Sequence, residues 1–197
     1  MPVDATRIES TCDCGEDLSG PLDITIGRKV LRKSWHEYND YADFSLSIVL
    51  AAMAFECELS RLYIKWTRVD EVLKRGWTRD EELEERLRTL GGIDKKMELV
   101  ASLMFPNGLT AFLDQNAPMS QVVRECFPSL DGNALAVGIT RNLFWPRNRV
   151  LHLGKQETKE TAVKAFNISN LAITIFESLD QHRRLAGSSS SGKMYDY

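Results

Sequence analysis

From Tyr41 onward the chain repeats apolar residues at three- and four-residue steps: Tyr41, Phe44, Ile48, Ala51, Ala52, Phe55, Leu59, Leu62 and Trp66. In a strand, neighbouring side chains would alternate between faces; this spacing instead gathers the apolar residues on one side of a helix. A long helix with a wide apolar face is therefore predicted, and such a face has to be covered by other elements of the same fold. Its uncharged part, Phe44 to Phe55, is well short of the roughly 20 residues that a membrane-spanning helix needs, so it reads as a buried helix.

The punctuation downstream repeats the pattern. Gly76 breaks the first helix, and Thr78, with Glu81 at the capping-box spacing, is expected to open a second one that runs to about Leu90. The mixed charges of residues 79–86 read as a solvated, self-paired face, and Gly91-Gly92 ends that helix. Residues 93–104 form an amphipathic stretch closed by Pro106-Asn107-Gly108, and shorter helices are expected at about 109–114 and 119–126. A further stretch after Asp131-Gly132 meets Pro146, which lacks an N–H and should kink the helix or start a new one; Gly154 stops it. The last helix, about 158–185, is expected to bury Val163, Phe166, Leu171, Ile175 and Leu179. Glu157 and Glu160 stand at its start and His182, Arg183 and Arg184 at its end, each sign matching the helix dipole.

The two ends read differently. Leu22-Asp23-Ile24-Thr25-Ile26 alternates like a short strand between Gly20-Pro21 and Gly27, so residues 1–39 are expected to be a non-helical arm or small hairpin. Residues 187–197 are Ser-rich without apolar period and are expected to be a mobile tail. Between them, residues 40–186 are expected to form one all-α domain, an antiparallel bundle of about four to five main helices.

With 25 Lys and Arg against 28 Asp and Glu, the chain is too acidic to coat nucleic acid or an anionic membrane, so contact with either would need a local patch. One exists. From Gly132 to Gln156 there is no acid, while Arg141, Arg147, Arg149 and Lys155 are cationic and His152 is the segment's one histidine. The opening Met1-Pro2-Val3-Asp4 lacks the basic and apolar regions of a secretory signal, so a cytoplasmic protein without a membrane partner is expected. Four cysteines are too few for a disulfide scaffold in a chain of this length; Cys12-Asp13-Cys14 is at most half of a metal knuckle, and no cofactor or metal is expected.

Residues 147–152 place an arginine, an amide and an imidazole on one helical segment. Cleaving RNA without a metal requires a base for the 2′-OH proton and donors for the charge that builds on the phosphoryl oxygens. His152 offers an imidazole, a side-chain type suited to proton transfer, and Arg147 offers a planar fork of donors. Asn148 precedes His152 by one turn and could fix its tautomer. Arg147 and His152, however, lie about 140° apart around an ideal helix, a constraint that a second copy of the segment in a twofold dimer would relax. The apolar stretch 134–145 is expected to cover that contact. Arg149, Arg141 and Lys155 are candidate phosphate contacts, Glu56 a candidate carboxylate partner of Arg147, and Phe144 and Trp145 candidate base-stacking residues. Glu56 and Glu58 also read simply as the point where their helix reaches solvent.

Arg147-Asn148-x-x-x-His152, followed by a glycine-containing loop and a final amphipathic helix, resembles the signature of the HEPN (higher eukaryotes and prokaryotes nucleotide-binding) superfamily. The resemblance takes in the long helix with Glu56, Glu58 and Arg61 and covers about residues 40 to 185. It implies a homodimeric helical bundle in which two motifs meet to form a metal-independent ribonuclease site, with Arg147 and His152 in the catalytic positions and Asn148 in the polar position beside the arginine. Such proteins serve as toxins or in antiviral defence, often with an antitoxin or other partner protein; others are inactive modules that dimerise or bind nucleotides or proteins, and both readings stay open. Members controlled by tyrosine adenylylation carry a tyrosine two residues after the histidine, where this chain has Gly154.

Overall fold

A computed structural model describes residues 25–73, 78–126 and 132–191, and among these every regular element is helical. The first, α1 (Ile26–Asp40), occupies much of the segment expected as an arm. Its seam is built from Gly27, Leu31 and Ser34, which are buried, and small residues in that seam leave almost no apolar period to read. Thr25 caps it by accepting the Arg28 N–H at 3.3 Å. The rest of the expected arm, with Cys12 and Cys14, lies outside the described residues.

Helix α2 (Phe44–Leu73) buries Ile48, Ala51, Ala52, Phe55, Leu59, Leu62 and Trp66, while Tyr41 falls before its start and is exposed. Along the α1–α2 seam Ser34 Oγ donates to the Ser47 carbonyl at 2.8 Å. At the far end of the seam Gly27 lets the backbones close: a Cβ there would sit 2.8 Å from the Ala54 carbonyl oxygen and 3.1 Å from Glu58 Cβ. Backbone on one side and a buried side chain on the other leave the methyl nowhere to go. Gly27→Ala is expected to lower unfolding free energy by about 1–3 kcal/mol, the scale for overpacking a filled seam. Urea unfolding checks this, and a variant as stable as the parent would mean that α1 is not held so closely.

The middle of the chain supplies α3 (Asp80–Thr89), α4 (Ile93–Met104), α5 (Gly108–Gln115) and α6 (Ala117–Cys126). Thr78 does not cap α3; its N–H donates to the Glu71 carboxylate at 3.2 Å, and Arg79 takes the cap position without a side-chain bond. Arg79–Glu82 and Arg88–Glu85 pair along α3. Next come α7 (Gly132–Ile139), one wide π-helical turn (Thr140–Phe144), α8 (Trp145–Leu153) and α9 (Lys159–Ser191). Helix α9 thus continues into the stretch expected to be a mobile tail, of which residues 192–197 lie outside the described residues.

Pairs between α2 and α9 fix their relative direction. Ser169 Oγ donates to the Ala51 carbonyl at 2.7 Å, Phe55 and Phe176 meet edge to face at 5.6 Å, and Trp66 Nε1 donates to Asp180 at 2.8 Å. Both numbers rise together, so α2 and α9 run parallel, with α1 antiparallel to them. Arg28 ties α1 to α9 through Glu177 (3.0 Å) and Thr174 (2.9 Å). Burial by itself would raise the Asp180 carboxyl, but Lys65, Trp66 and Arg184 outweigh it and hold the group below its ordinary value.

The π turn is what Pro146 makes of the expected kink. Trp145 N–H reaches back five residues to the Thr140 carbonyl, so the widened turn accommodates a ring that cannot donate. Gly154 closes α8 in the left-handed conformation (φ 59°), with Gly154 N–H donating to Val150 (3.1 Å) and Lys155 N–H to Arg149 (3.2 Å). No helix among the described residues is long and apolar enough to cross a membrane.

Candidate functional site on helix α8

Helix α8 packs its Pro146 side inward and is held against α2 at both ends. Near its start Arg147 Nη2 lies 3.6 Å from Glu56 Oε2, and Arg147 Nη1 donates to Asn148 Oδ1 at 3.0 Å. Arg147 Nε is buried and makes no hydrogen bond. The guanidinium is therefore aimed by one ion pair and one hydrogen bond, and part of its fork is left over for another anion.

Just past the end of α8, Glu157 is buried; its N–H donates to Ser45 Oγ at 3.1 Å, and its carboxylate accepts from Arg149 Nε at 2.7 Å. That bond holds the Arg149 guanidinium above its ordinary value, against the opposing effect of burial. Arg149, a candidate phosphate contact in the sequence, thus pins the α8–α9 loop to α2 through an ion pair. The acid-free segment ends one residue before the carboxylate that neutralises this arginine.

His152 is exposed and makes no hydrogen bond or ion pair among the described residues. Asn148 is exposed as well, but its oxygen is taken by Arg147, so the expected bond that would set the imidazole tautomer is not formed. Arg141 and Lys155 are exposed, and the Arg141 guanidinium lies over the Trp145 ring, 5.9 Å from its centre. Phe144 and Trp145, equivalent in the sequence, part company: Phe144 is 6 % exposed and belongs to the core, Trp145 is 54 % exposed.

The residues expected to cover a dimer contact are mostly spent on the core of one chain, for Leu135, Ile139, Leu143 and Phe144 are all buried. Large apolar side chains stand exposed elsewhere, at Leu46 and Met53 on α2 and at Leu151 on α8. Taking Glu56 as the reference on α2 and its partner Arg147 on α8, Met53, Leu46 and Leu151 all fall within about 80° of the paired direction. Sequence periodicity missed them because each helix buries enough apolar residues to satisfy its pattern without them.

Glu58, grouped with Glu56 in the sequence, has a different place. It is 0 % exposed, lies beside Gly27 and pairs with Arg61, whose Nε donates to it at 3.0 Å. Two residues along a helix turn the chain about 200°, so Glu56 and Glu58 point away from one another. Neither Glu58 nor Arg61 joins the α8 site. Cys57 is a free, half-buried thiol, pushed up by burial and by the carboxylates of Glu56 and Glu58. Among the described residues no group of three or more His, Cys, Asp or Glu side chains is placed to hold a metal ion.

The site thus consists of an aimed arginine, an uncommitted imidazole and an exposed indole under a second arginine, all on one helix and the turn before it. Comparisons with protein-family models, with curated proteins and with solved structures gave no match to this chain.

Proposed function

We propose that the protein is a metal-independent endoribonuclease whose site is completed across a twofold dimer, with His152 and Arg147 as its catalytic residues. The observation that carries this reading is the contrast between the two side chains. Arg147 is held in place by Glu56 and Asn148, as a group that steadies charge should be, while His152 is exposed and unbonded, as a group that moves a proton should be. In the reaction His152 takes the 2′-OH proton, the 2′-oxygen attacks the adjacent phosphorus, and Arg147 binds the phosphoryl oxygens as their charge grows. The bond to the 5′-oxygen breaks, and that oxygen leaves with a proton supplied by water. The products carry 2′,3′-cyclic phosphate and 5′-hydroxyl ends.

Geometry within one helix supports the dimer reading. Arg147 and His152 diverge by about 140°, too far to face one phosphate from an ideal helix, whereas Arg147 of one protomer and His152 of another can flank it. Met53 and Leu151, exposed on the helix faces that carry Glu56 and Arg147, and Leu46, exposed further along α2, supply apolar surface for that contact. A place in a toxin or antiviral-defence system, with a partner protein that restrains the nuclease, rests on the HEPN resemblance.

Because the chemistry is carried by side chains, cleavage of a mixed-sequence RNA is expected to be undiminished in EDTA, and end-group analysis should find 2′,3′-cyclic phosphate. Activity that disappears on chelation and returns with a divalent cation would overturn the mechanism. Binding of RNA, nucleotide or protein without any cleavage would favour a non-catalytic module.

A further inference from the structure

Resting on the ribonuclease reading, we propose that Trp145 stacks a base of the bound RNA and so positions the strand against His152, with Arg141 bracing the ring. Four residues share one outward face: Arg141, Trp145, Asn148 and His152 follow at steps of four, three and four, and the Arg141–Trp145 contact at 5.9 Å shows that the π turn does not rotate the first two apart. A large indole left 54 % exposed is unusual on a helix whose neighbouring aromatic is fully used by the core.

The surroundings select the occupant. A bare indole would suit an apolar partner, but this one has a guanidinium over its ring, an amide and an imidazole along its face, and no carboxylate anywhere in residues 132–156. Cation, aromatic surface and hydrogen-bonding groups in one line match a nucleotide, whose base stacks on the ring while its phosphate meets the cation. The seven-residue step from Trp145 to His152 spans about 10 Å of helix, a length that about two or three stacked nucleotides cover. Trp145 is therefore a positioning residue: it fixes which phosphate comes to the imidazole and takes no part in proton transfer.

The face divides from the apolar one described above. Around α8, Trp145 and His152 lie within about 20° of each other, whereas Leu151 lies about 100° or more from both, on the side of Glu56. Dimer contact and RNA contact thus take separate flanks of one helix, with Asn148 between them and Arg147 on the far side of Leu151.

The test uses the full chain and a short fluorescein-labelled RNA of mixed sequence whose 2′-hydroxyls are all methylated, so that binding is read without cleavage. Trp145→Ala should weaken binding about fivefold to a hundredfold, the range for loss of one base stack, and Trp145→Phe should restore most of it. RNA should quench tryptophan emission of the wild type, and most of that quenching should vanish in Trp145→Phe although this variant still binds. With cleavable RNA, Trp145→Ala should raise KM far more than it lowers kcat, and sedimentation should find the dimer intact. Unchanged binding and KM in Trp145→Ala would overturn the stacking role while leaving the ribonuclease reading in place. A variant that falls to monomers would make Trp145 a contact between copies and overturn it likewise. Stacking-dependent binding by a wild type that cleaves nothing would support Trp145 and sink the ribonuclease; a wild type that does not bind the RNA would sink both.

Discussion

His152→Ala and Arg147→Ala are each expected to lower RNA cleavage about a hundredfold or more, the usual scale for losing a general base or a donor to a developing oxyanion. Neither substitution should disturb folding, because His152 is exposed and neither side chain belongs to the hydrophobic core. The two groups act on one transition state, so the double variant should be scarcely worse than the worse single one. Glu56→Gln provides an internal control: it keeps an acceptor near the guanidinium but removes the charge, and it should cost less than removing Arg147 itself. Single-turnover cleavage of a defined RNA measures all four. Equal activity of wild type and both alanine variants would place the chemistry elsewhere.

The second large effect concerns stability. Arg61→Met is expected to reduce unfolding free energy by about 3–5 kcal/mol, because it strands the wholly buried Glu58 carboxylate without its cation. The bond to Glu58 is the leading reason that the Arg61 guanidinium is held above its ordinary value. Replacing both partners, in Glu58→Met/Arg61→Met, should recover much of the loss, since an apolar pair has no charge to strand. Denaturant unfolding of the three proteins checks this. Loss below about 1 kcal/mol in Arg61→Met would show that Glu58 finds water or another donor. Cleavage by the refolded variants should be little changed, because this pair points away from α8.

The helices that carry long apolar stripes were legible from spacing alone, as α2, α4 and α9 show. Their ends were legible where a single residue decides the backbone, as Gly154 does with its positive φ. Helix α1 was hidden because its seam uses Gly27 and Ser34, where close approach and a buried hydroxyl bond replace apolar bulk. The extent of α9 beyond residue 186 was hidden for a related reason, as the Ser-rich turns contribute no period.

At the site, the sequence placed Arg147, Asn148 and His152 on one helix, but it could not rank neighbours by their facing. Glu56 and Glu58 differ by two positions and by half a turn, which separates a carboxylate beside Arg147 from one buried under α1. Phe144 and Trp145 differ by one position, and the π turn decides which of them the core takes. The partner of Arg149 could not be named because charge was counted along a segment, whereas Glu157 folds back from just beyond it. Side-chain partners across a loop are set by tertiary geometry, and linear charge patterns do not contain that information.

The composite site is tested most directly by mixing its two broken halves. Arg147→Ala and His152→Ala protomers, coexpressed with different affinity tags and purified through both, give a heterodimer in which one intact Arg147 faces one intact His152 across the interface. If each pair is formed between protomers, this heterodimer should recover about half of the wild-type cleavage rate, while both parent homodimers stay about a hundredfold or more below it. A heterodimer no more active than its parents, beside a wild type that cleaves, would contradict a site shared between protomers.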